Sequence, residues 1–171
     1  MVEYYLSKPS HIVIGSVRNL GAPVVSELQS ITPASGSTLL LVHIESANPS
    51  DPAKALTEIE KAHVDHIDIV FANAGGSPPV VDIDHVSPED CTYAFQTNAL
   101  GPLVLFQTLK PLLQKSSNPK WASITSISGS IGTMAGMGTH ITPAYGAAKA
   151  ALNWWTQYVH TRVTSEAVLM P

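Results

Sequence analysis

Short apolar runs that alternate with segments of helical periodicity constrain this chain more than any other feature of its sequence. The apolar runs predict buried strands at residues 11–16, 38–44, 67–72, 121–125 and 167–170. The helical segments between them lie at residues 22–31, 51–64, 87–113 and 145–163. Strands that are almost continuously apolar are typical of parallel sheets, because both faces of such sheets are buried. The pattern therefore predicts an α/β fold, with a doubly wound parallel sheet between two helical layers.

The helix starts and the absence of linkers complete this prediction. Asp51 and Ser87 each precede a proline and are predicted to cap the helices that follow. No internal repeat, low-complexity tract or linker interrupts the sequence of 171 residues. We therefore expect residues 1–171 to form a single domain.

Composition excludes several classes of function. Charged residues make up only 13% of the chain, the net charge is −4, and no cluster of Lys or Arg is present. Nucleic acid and anionic membranes are therefore not expected partners. The single cysteine, Cys91, cannot form an internal disulfide, and the histidines show no spacing typical of a metal site. The sequence has no signal-peptide pattern and no apolar run long enough to span a membrane, which predicts a cytoplasmic protein in a reducing compartment.

Polar residues at the predicted strand ends suggest acid–base chemistry. Asn73 follows the third apolar run, and Ser126 follows the fourth. Tyr145 and Lys149 are four residues apart at the start of the long helix, so they share one face of it. A nearby ammonium group lowers the pKa of a phenol, which is otherwise near 10. A serine hydroxyl could then hold a carbonyl oxygen while the tyrosine donates or removes a proton.

Four motifs in this order resemble the short-chain dehydrogenase/reductase family over essentially the whole chain. They are Asn73-Ala74-Gly75, Asn98-x-x-Gly101, Ser126-x-x-Gly129 and Tyr145-x-x-x-Lys149. The resemblance implies a Rossmann-like fold in three α/β/α layers and an oxidoreductase activity. It implies that Tyr145 is the catalytic acid/base, that Ser126 polarises the carbonyl, and that Lys149 lowers the tyrosine pKa and holds the nicotinamide ribose. By the same resemblance, Asn98 anchors a water in the proton relay, and Asn73, Ala74 and Gly75 line the dinucleotide.

The family pattern also sets the register of the strands. In the family, the strand that ends at the Asn-Ala-Gly motif is the fourth. Here that strand is residues 67–72, and only the strand at residues 38–44 lies between it and residues 11–16. Residues 11–16 therefore match the second strand of the family rather than the first. Residues 1–7 then match the end of the first helix, and residues 169–171 match the sixth strand and its turn. The sequence is therefore expected to lack the first and last strands and the glycine-rich phosphate turn. The alternative is that Gly15 to Gly21 form that turn, with Asn19 in place of its middle glycine.

This register predicts the cofactor and the subgroup. Arg18 matches the basic residue that binds the adenosine 2′-phosphate, so NADP(H) is favoured over NAD(H), and Glu45 matches an adenine-contacting acid. Residues 101–107 and 145–153 resemble sniffer-type carbonyl reductases and fungal polyketide ketoreductases such as norsolorinic acid ketoreductase. That resemblance implies reduction of a small-molecule carbonyl in fungal secondary metabolism, with a polyketide-type ketone as the candidate substrate. It also implies a homo-oligomer for a complete chain, through the long helix.

Two alternatives remain open from the sequence. Ser128 competes with Ser126 for the serine role, and Arg18 is equally compatible with an ordinary surface position. The extra residues 132–140, which are rich in glycine and methionine, are expected to form an apolar wall of the substrate pocket. The rival to an active reductase is a catalytically inactive, truncated remnant that does not bind cofactor productively. Titration of the isolated chain with cofactor would separate these two hypotheses.

Overall fold

The computed structural model describes residues 1–163, and these residues form two compact units. The first unit contains Met1–Glu45 and Ser50–His63, and the second contains Ser46–Pro49 and the described chain from Val64 onward. The predicted strand at residues 167–170 lies outside the described residues.

The first unit is built on two parallel strands. Its elements, in chain order, are α1 (Val2–Leu6), β1 (Ile12–Val17), α2 (Pro23–Ser30), β2 (Thr38–His43) and α3 (Asp51–Lys61). Strand β1 pairs with β2 from Ile12 opposite Thr38 to Val17 opposite His43. Helix α1 packs on β1 and α3 packs on β2. The buried apolar side chains of this unit are Leu6, Val25, Val42, Ala55, and Ile59.

The second unit repeats the parallel pairing with longer helices. Its strands are β3 (Ile69–Ala72) and β4 (Lys120–Ser123), which pair from Ile69 opposite Lys120 to Ala72 opposite Ser123. Between them lie α4 (Pro88–Phe95), a π-helical turn (Gln96–Leu100) and α5 (Gly101–Leu113). After β4 come a 3-10 helix (Ile127–Gly129), α6 (Met134–Met137), a second 3-10 turn (Thr139–Ile141), α7 (Pro143–Tyr158) and a second π-helical turn (Val159–Val163).

The element types agree with the sequence prediction, with shifts of a few residues at the ends. All four predicted strands before residue 164 are parallel strands, and a helix stands at residues 2–6 where the end of a first helix was expected. The described strands pair two by two instead of forming one sheet. Pairing of β1 with β2 is what the register predicts for the second and third strands of the family.

Gly15 and Asp51 do not have the local roles considered from the sequence. Gly15 lies within β1, opposite Leu41, so Gly15 to Gly21 do not form a phosphate turn that follows a strand. Asp51 is the first residue of α3 rather than its cap, because its buried carboxylate points back to the loop after β2. There it accepts the backbone N–H of Glu45 at 3.1 Å and the Lys54 ammonium at 3.0 Å. The cap predicted at Ser87 is confirmed, since its hydroxyl oxygen accepts the Asp90 N–H at 3.0 Å.

Candidate active site

Lys149 forms the centre of the candidate site in the second unit. Its side chain is 4% exposed, and its Nζ donates to the carbonyl oxygen of Ile124, just after β4, at 2.7 Å. Burial removes water from the ammonium group and therefore lowers the pKa of Lys149 below its usual value of 10.5. The Nζ atom also lies 5.6 Å from the centroid of the Tyr145 ring, one helical turn earlier in α7.

Close packing of the 3-10 helix against α7 brings Ser126 to the same region. A Cβ atom on Gly129 would lie 2.7 Å from the backbone carbon of Lys149, so only glycine allows this approach. Asn153 of α7 donates from Nδ2 to the Gly129 carbonyl at 3.3 Å. Ser126 caps this 3-10 helix, and its Oγ accepts the N–H of Ser128 at 3.2 Å. The Ser126 oxygen is therefore held in place while its proton stays available to a substrate.

Asn98 lies in the π-helical turn, and its side chain is fixed by three hydrogen bonds to backbone groups outside that turn. It is 0% exposed, and its Nδ2 donates to the carbonyls of Gly76 at 2.7 Å and Ala94 at 3.0 Å. Its Oδ1 accepts the N–H of Gly76 at 3.1 Å. Both amide protons are thus already used, so the Asn98 side chain holds the loop after β3. The role predicted for Asn98, to anchor a water, stays a prediction.

The loop after β3 runs beside Lys149 and Asn98. Asn73, Ala74 and Gly75 are exposed on this loop. A Cβ atom on Gly75 would lie 2.9 Å from Oδ1 of Asn98 and 3.8 Å from Nζ of Lys149. The structure therefore brings Gly75, Asn98, Lys149 and Tyr145 together.

The two residues predicted to bind the adenosine side lie in the first unit. Arg18 follows β1 directly and is exposed. Glu45 follows β2 and is half-buried, and its backbone N–H is held by Asp51.

Sequence reasoning missed two groups that shape the site. The Ile124 carbonyl accepts a hydrogen bond from Lys149, but every residue has a backbone carbonyl, so the residue type at position 124 does not reveal this contact. Asn153 was noted only as part of a longer resemblance, although its position four residues after Lys149 places both on one face of α7. Among the described residues, no cluster of three or more His, Cys, Asp or Glu could hold a metal ion. No helix in this part of the chain is long and apolar enough to cross a membrane.

Comparison with known proteins identifies the family. The family model for short chain dehydrogenases matches residues 1–169. A short-chain dehydrogenase of Neurospora crassa is 52% identical over 157 residues, which cover 91% of this chain and 62% of that protein. One from Pyricularia oryzae is 48% identical over 164 residues, covering 94% and 64%. A norsolorinic acid ketoreductase of Dothistroma septosporum is 32% identical over 169 residues, covering 94% and 60%.

Solved structures agree on the fold. An NADPH-bound carbonyl reductase from chicken fatty liver has a TM-score of 0.85 at 23% identity, covering 99% of this chain and 67% of that one. The carbonyl reductase Sniffer of D. melanogaster has a TM-score of 0.82 at 23% identity, covering 98% and 70%. The likeness confirms the predicted Rossmann-like fold. This chain spans under two thirds of the length of the curated relatives named above.

The close approach at Gly129 predicts a large effect of a single methyl group. Gly129→Ala should lower the free energy of unfolding by about 1–3 kcal/mol, because the new Cβ would meet the α7 backbone. Gly136→Ala is the matched control, since a Cβ there meets nothing within 4 Å, and its effect should stay within about 0.5 kcal/mol. Urea unfolding of both variants measures the difference. Equal stabilities would show that the 3-10 helix does not pack on α7 as described.

The lowered pKa of Lys149 predicts a specific dependence of stability on pH. Between the lowered pKa and 10.5, the folded protein has released a proton that the unfolded chain retains. The free energy of unfolding contributed by this group therefore rises as pH rises through that window. Urea unfolding from pH 7 to 10 should show this rise in the wild type relative to Lys149→Met, which has no charge to titrate. Parallel curves for the two proteins would contradict the burial of the ammonium group.

Proposed function

The chain belongs to the short-chain dehydrogenase family, and we propose that the protein reduces a ketone or other carbonyl group with a hydride from NADPH. The observation that carries the proposal is the buried Lys149 ammonium beside the Tyr145 ring, on the helix that packs against the 3-10 helix capped by Ser126. These are the acid–base and polarising groups that carbonyl reduction needs.

Tyr145 is the proposed proton donor to the carbonyl oxygen. Its ring is half-buried, and the Lys149 ammonium stands 5.6 Å from the ring centroid. A positive charge at this distance stabilises the phenolate that remains after proton transfer, and burial strengthens this effect because little water screens the charge. Lys149 is therefore proposed to act on the reaction through Tyr145 as well as on the cofactor.

Ser126 is the proposed donor that orients the carbonyl. Its oxygen already accepts the Ser128 N–H, so the hydroxyl proton can point to a substrate oxygen. Ser128, the competing serine, uses its backbone N–H to fix Ser126, which favours Ser126 for the role.

The loop after β3 fits a dinucleotide. Three consecutive small or amide residues, Asn73, Ala74 and Gly75, are exposed there, and the absence of a side chain at Gly75 lets the loop pass close to Asn98 and Lys149. When bound, the nicotinamide supplies the hydride. Lys149 would then hold the nicotinamide ribose, and Asn73 to Gly75 would line the adjoining part of the cofactor.

Arg18 and Glu45 are proposed to choose between cofactors. Arg18 is exposed directly after β1 and can pair with a 2′-phosphate through two parallel hydrogen bonds. Glu45 is proposed to contact the adenine. The resemblance to norsolorinic acid ketoreductases favours a ketone of polyketide type as substrate, and the NADPH-bound carbonyl reductase from chicken favours NADPH as cofactor.

We also propose that the protein forms a homo-oligomer through α4 and α7. An apolar groove of about 420 Å³ lies between these helices, where the residues on α7 are small. The groove is lined by Cys91, Thr92, Phe95, Gln96, Leu100, Ala144, Ala147 and Ala148. Further along α7, Trp154 is 63% exposed and stacks on Tyr158. A second copy that runs antiparallel would place its large aromatic residues against these alanines.

Removal of the Tyr145 hydroxyl tests the catalytic assignment. In the full-length gene product, Tyr145→Phe should lower turnover by about 10²–10⁴-fold, because the proton donor is lost, while NADPH affinity changes little. Lys149→Ala should impair both turnover and NADPH binding, because Lys149 serves both. Steady-state NADPH oxidation and fluorescence titration measure the two quantities. Turnover at the wild-type level in Tyr145→Phe would refute the assignment.

Reversal of the charge at Arg18 tests the cofactor assignment. Arg18→Asp should shift the preference from NADPH towards NADH by about tenfold to a hundredfold, through loss of a charge-assisted contact worth about 1.5–3 kcal/mol. Lys115→Asp makes the same charge change at another exposed position and should leave the ratio unchanged. The measurement is kcat/KM for each cofactor. An unchanged ratio in Arg18→Asp would place Arg18 outside the cofactor site.

A further inference from the structure

The π-helical turn that carries Asn98 leaves the buried backbone carbonyl of Thr97 without a hydrogen-bond donor in its own helix. In this turn the N–H of Gly101 bonds to the carbonyl of Gln96, five residues back. In an ordinary α-helix the same N–H would bond to Thr97. The next possible donor to Thr97 is residue 102, which is proline and has no N–H. Thr97 is only 5% exposed, so water has little access to its carbonyl.

The hydroxyl of Ser46 supplies the missing donor. Its Oγ donates to the Thr97 carbonyl at 2.8 Å, across 51 positions of sequence. The Thr97 hydroxyl does not contribute, because it is buried and has no hydrogen-bond partner among the described residues. Ser46 and Thr97 belong to the same compact unit.

Gly101 permits this contact from the other side. A Cβ on Gly101 would lie 2.5 Å from the backbone oxygen of Ser46 and would also collide with Oγ of Ser46. Residue 101 must therefore be glycine for Ser46 to approach the turn. The glycine of the Asn-x-x-Gly motif and Ser46 thus form one contact.

The turn has two possible registers, and the Ser46 hydroxyl distinguishes them. In the observed register, Ser46 satisfies the Thr97 carbonyl. Without that hydroxyl, the Gly101 N–H would satisfy Thr97 only by leaving Gln96, which converts the π turn to an α turn. A π turn holds more residues than an α turn, so conversion to the α register rotates these residues about the helix axis and changes the direction of the Asn98 side chain. Asn98 would then lose its hydrogen bonds to Gly76.

We propose that Ser46 is a positioning residue that holds Asn98 in the π register and thereby fixes the loop at Gly75 and Gly76. The structural part of this proposal stands on the contacts alone. Its consequence for catalysis rests on the proposed reductase function.

Hydrogen exchange tests the structural part without any assay of activity. In the full-length gene product, Ser46→Ala should speed amide exchange in peptides covering residues 74–77 and 96–101 by about fivefold to a hundredfold, because a buried acceptor loses its donor. Ser30→Ala is the matched control. It also removes a hydroxyl that donates to a backbone carbonyl, that of Glu27 at 2.7 Å, but at an exposed position where water can replace it. Its exchange in both peptides should equal the wild type.

A second variant and a kinetic measurement complete the test. Gly101→Ala pushes Ser46 away from the opposite side and should accelerate exchange in the same two peptides. Ser46→Ala should also lower kcat by at least about fivefold, while the KM for NADPH changes by less than a factor of two. Exchange within twofold of the wild type in both variants would overturn the proposal. Accelerated exchange with an unchanged kcat would overturn the link to catalysis, and an inactive wild type would refute the proposed function but not the exchange result.

Discussion

A buried ammonium group is the constraint on which the arrangement of the second unit depends. Burial of a charge is costly unless a polar partner compensates, and the Ile124 carbonyl oxygen accepts a hydrogen bond from the Lys149 ammonium at 2.7 Å. That bond ties the middle of α7 to the chain just after β4, where Ser126 also lies. The hydroxyls of Thr156, further along α7, and Ser123 share a hydrogen bond at 3.0 Å, which ties the helix to β4 a second time. The position of Tyr145 follows, because it stands one turn before Lys149 on the same helix.

The second constraint is the π-helical turn before Pro102. π-helical turns are rare and less regular than α-helical ones, so this turn has a local cost. Three hydrogen bonds of the Asn98 side chain and the Ser46 hydroxyl offset that cost. The result is a buried amide that fixes the loop at Gly76 next to Lys149. Helix α7 and the loop after β3 are therefore held by polar groups as well as by apolar packing.

The sequence predicted the parts of this arrangement that depend on local pattern. Apolar runs located four strands. The order of four motifs identified the family and predicted Asn98, Ser126, Tyr145 and Lys149 as candidate site residues. It did not predict groups whose partners are distant in sequence. Residues 87–113 have a continuous helical pattern, and nothing local marks the π turn except Pro102 four residues after Asn98. Asp51 was expected to cap its helix, but a hydrogen bond to Glu45 and an ion pair with Lys54 turn its carboxylate away.

We propose that a hydride passes from NADPH to the carbonyl carbon of the substrate while Tyr145 protonates the oxygen, and isotope labelling follows the hydride. The full-length gene product would be incubated with an aromatic ketone and NADPH that carries deuterium at both positions of nicotinamide C4. Mass spectrometry and NMR of the alcohol would locate the label. We expect one deuterium on the carbinol carbon of the alcohol. An alcohol without deuterium on that carbon, or no alcohol at all across a panel of ketones, would contradict it.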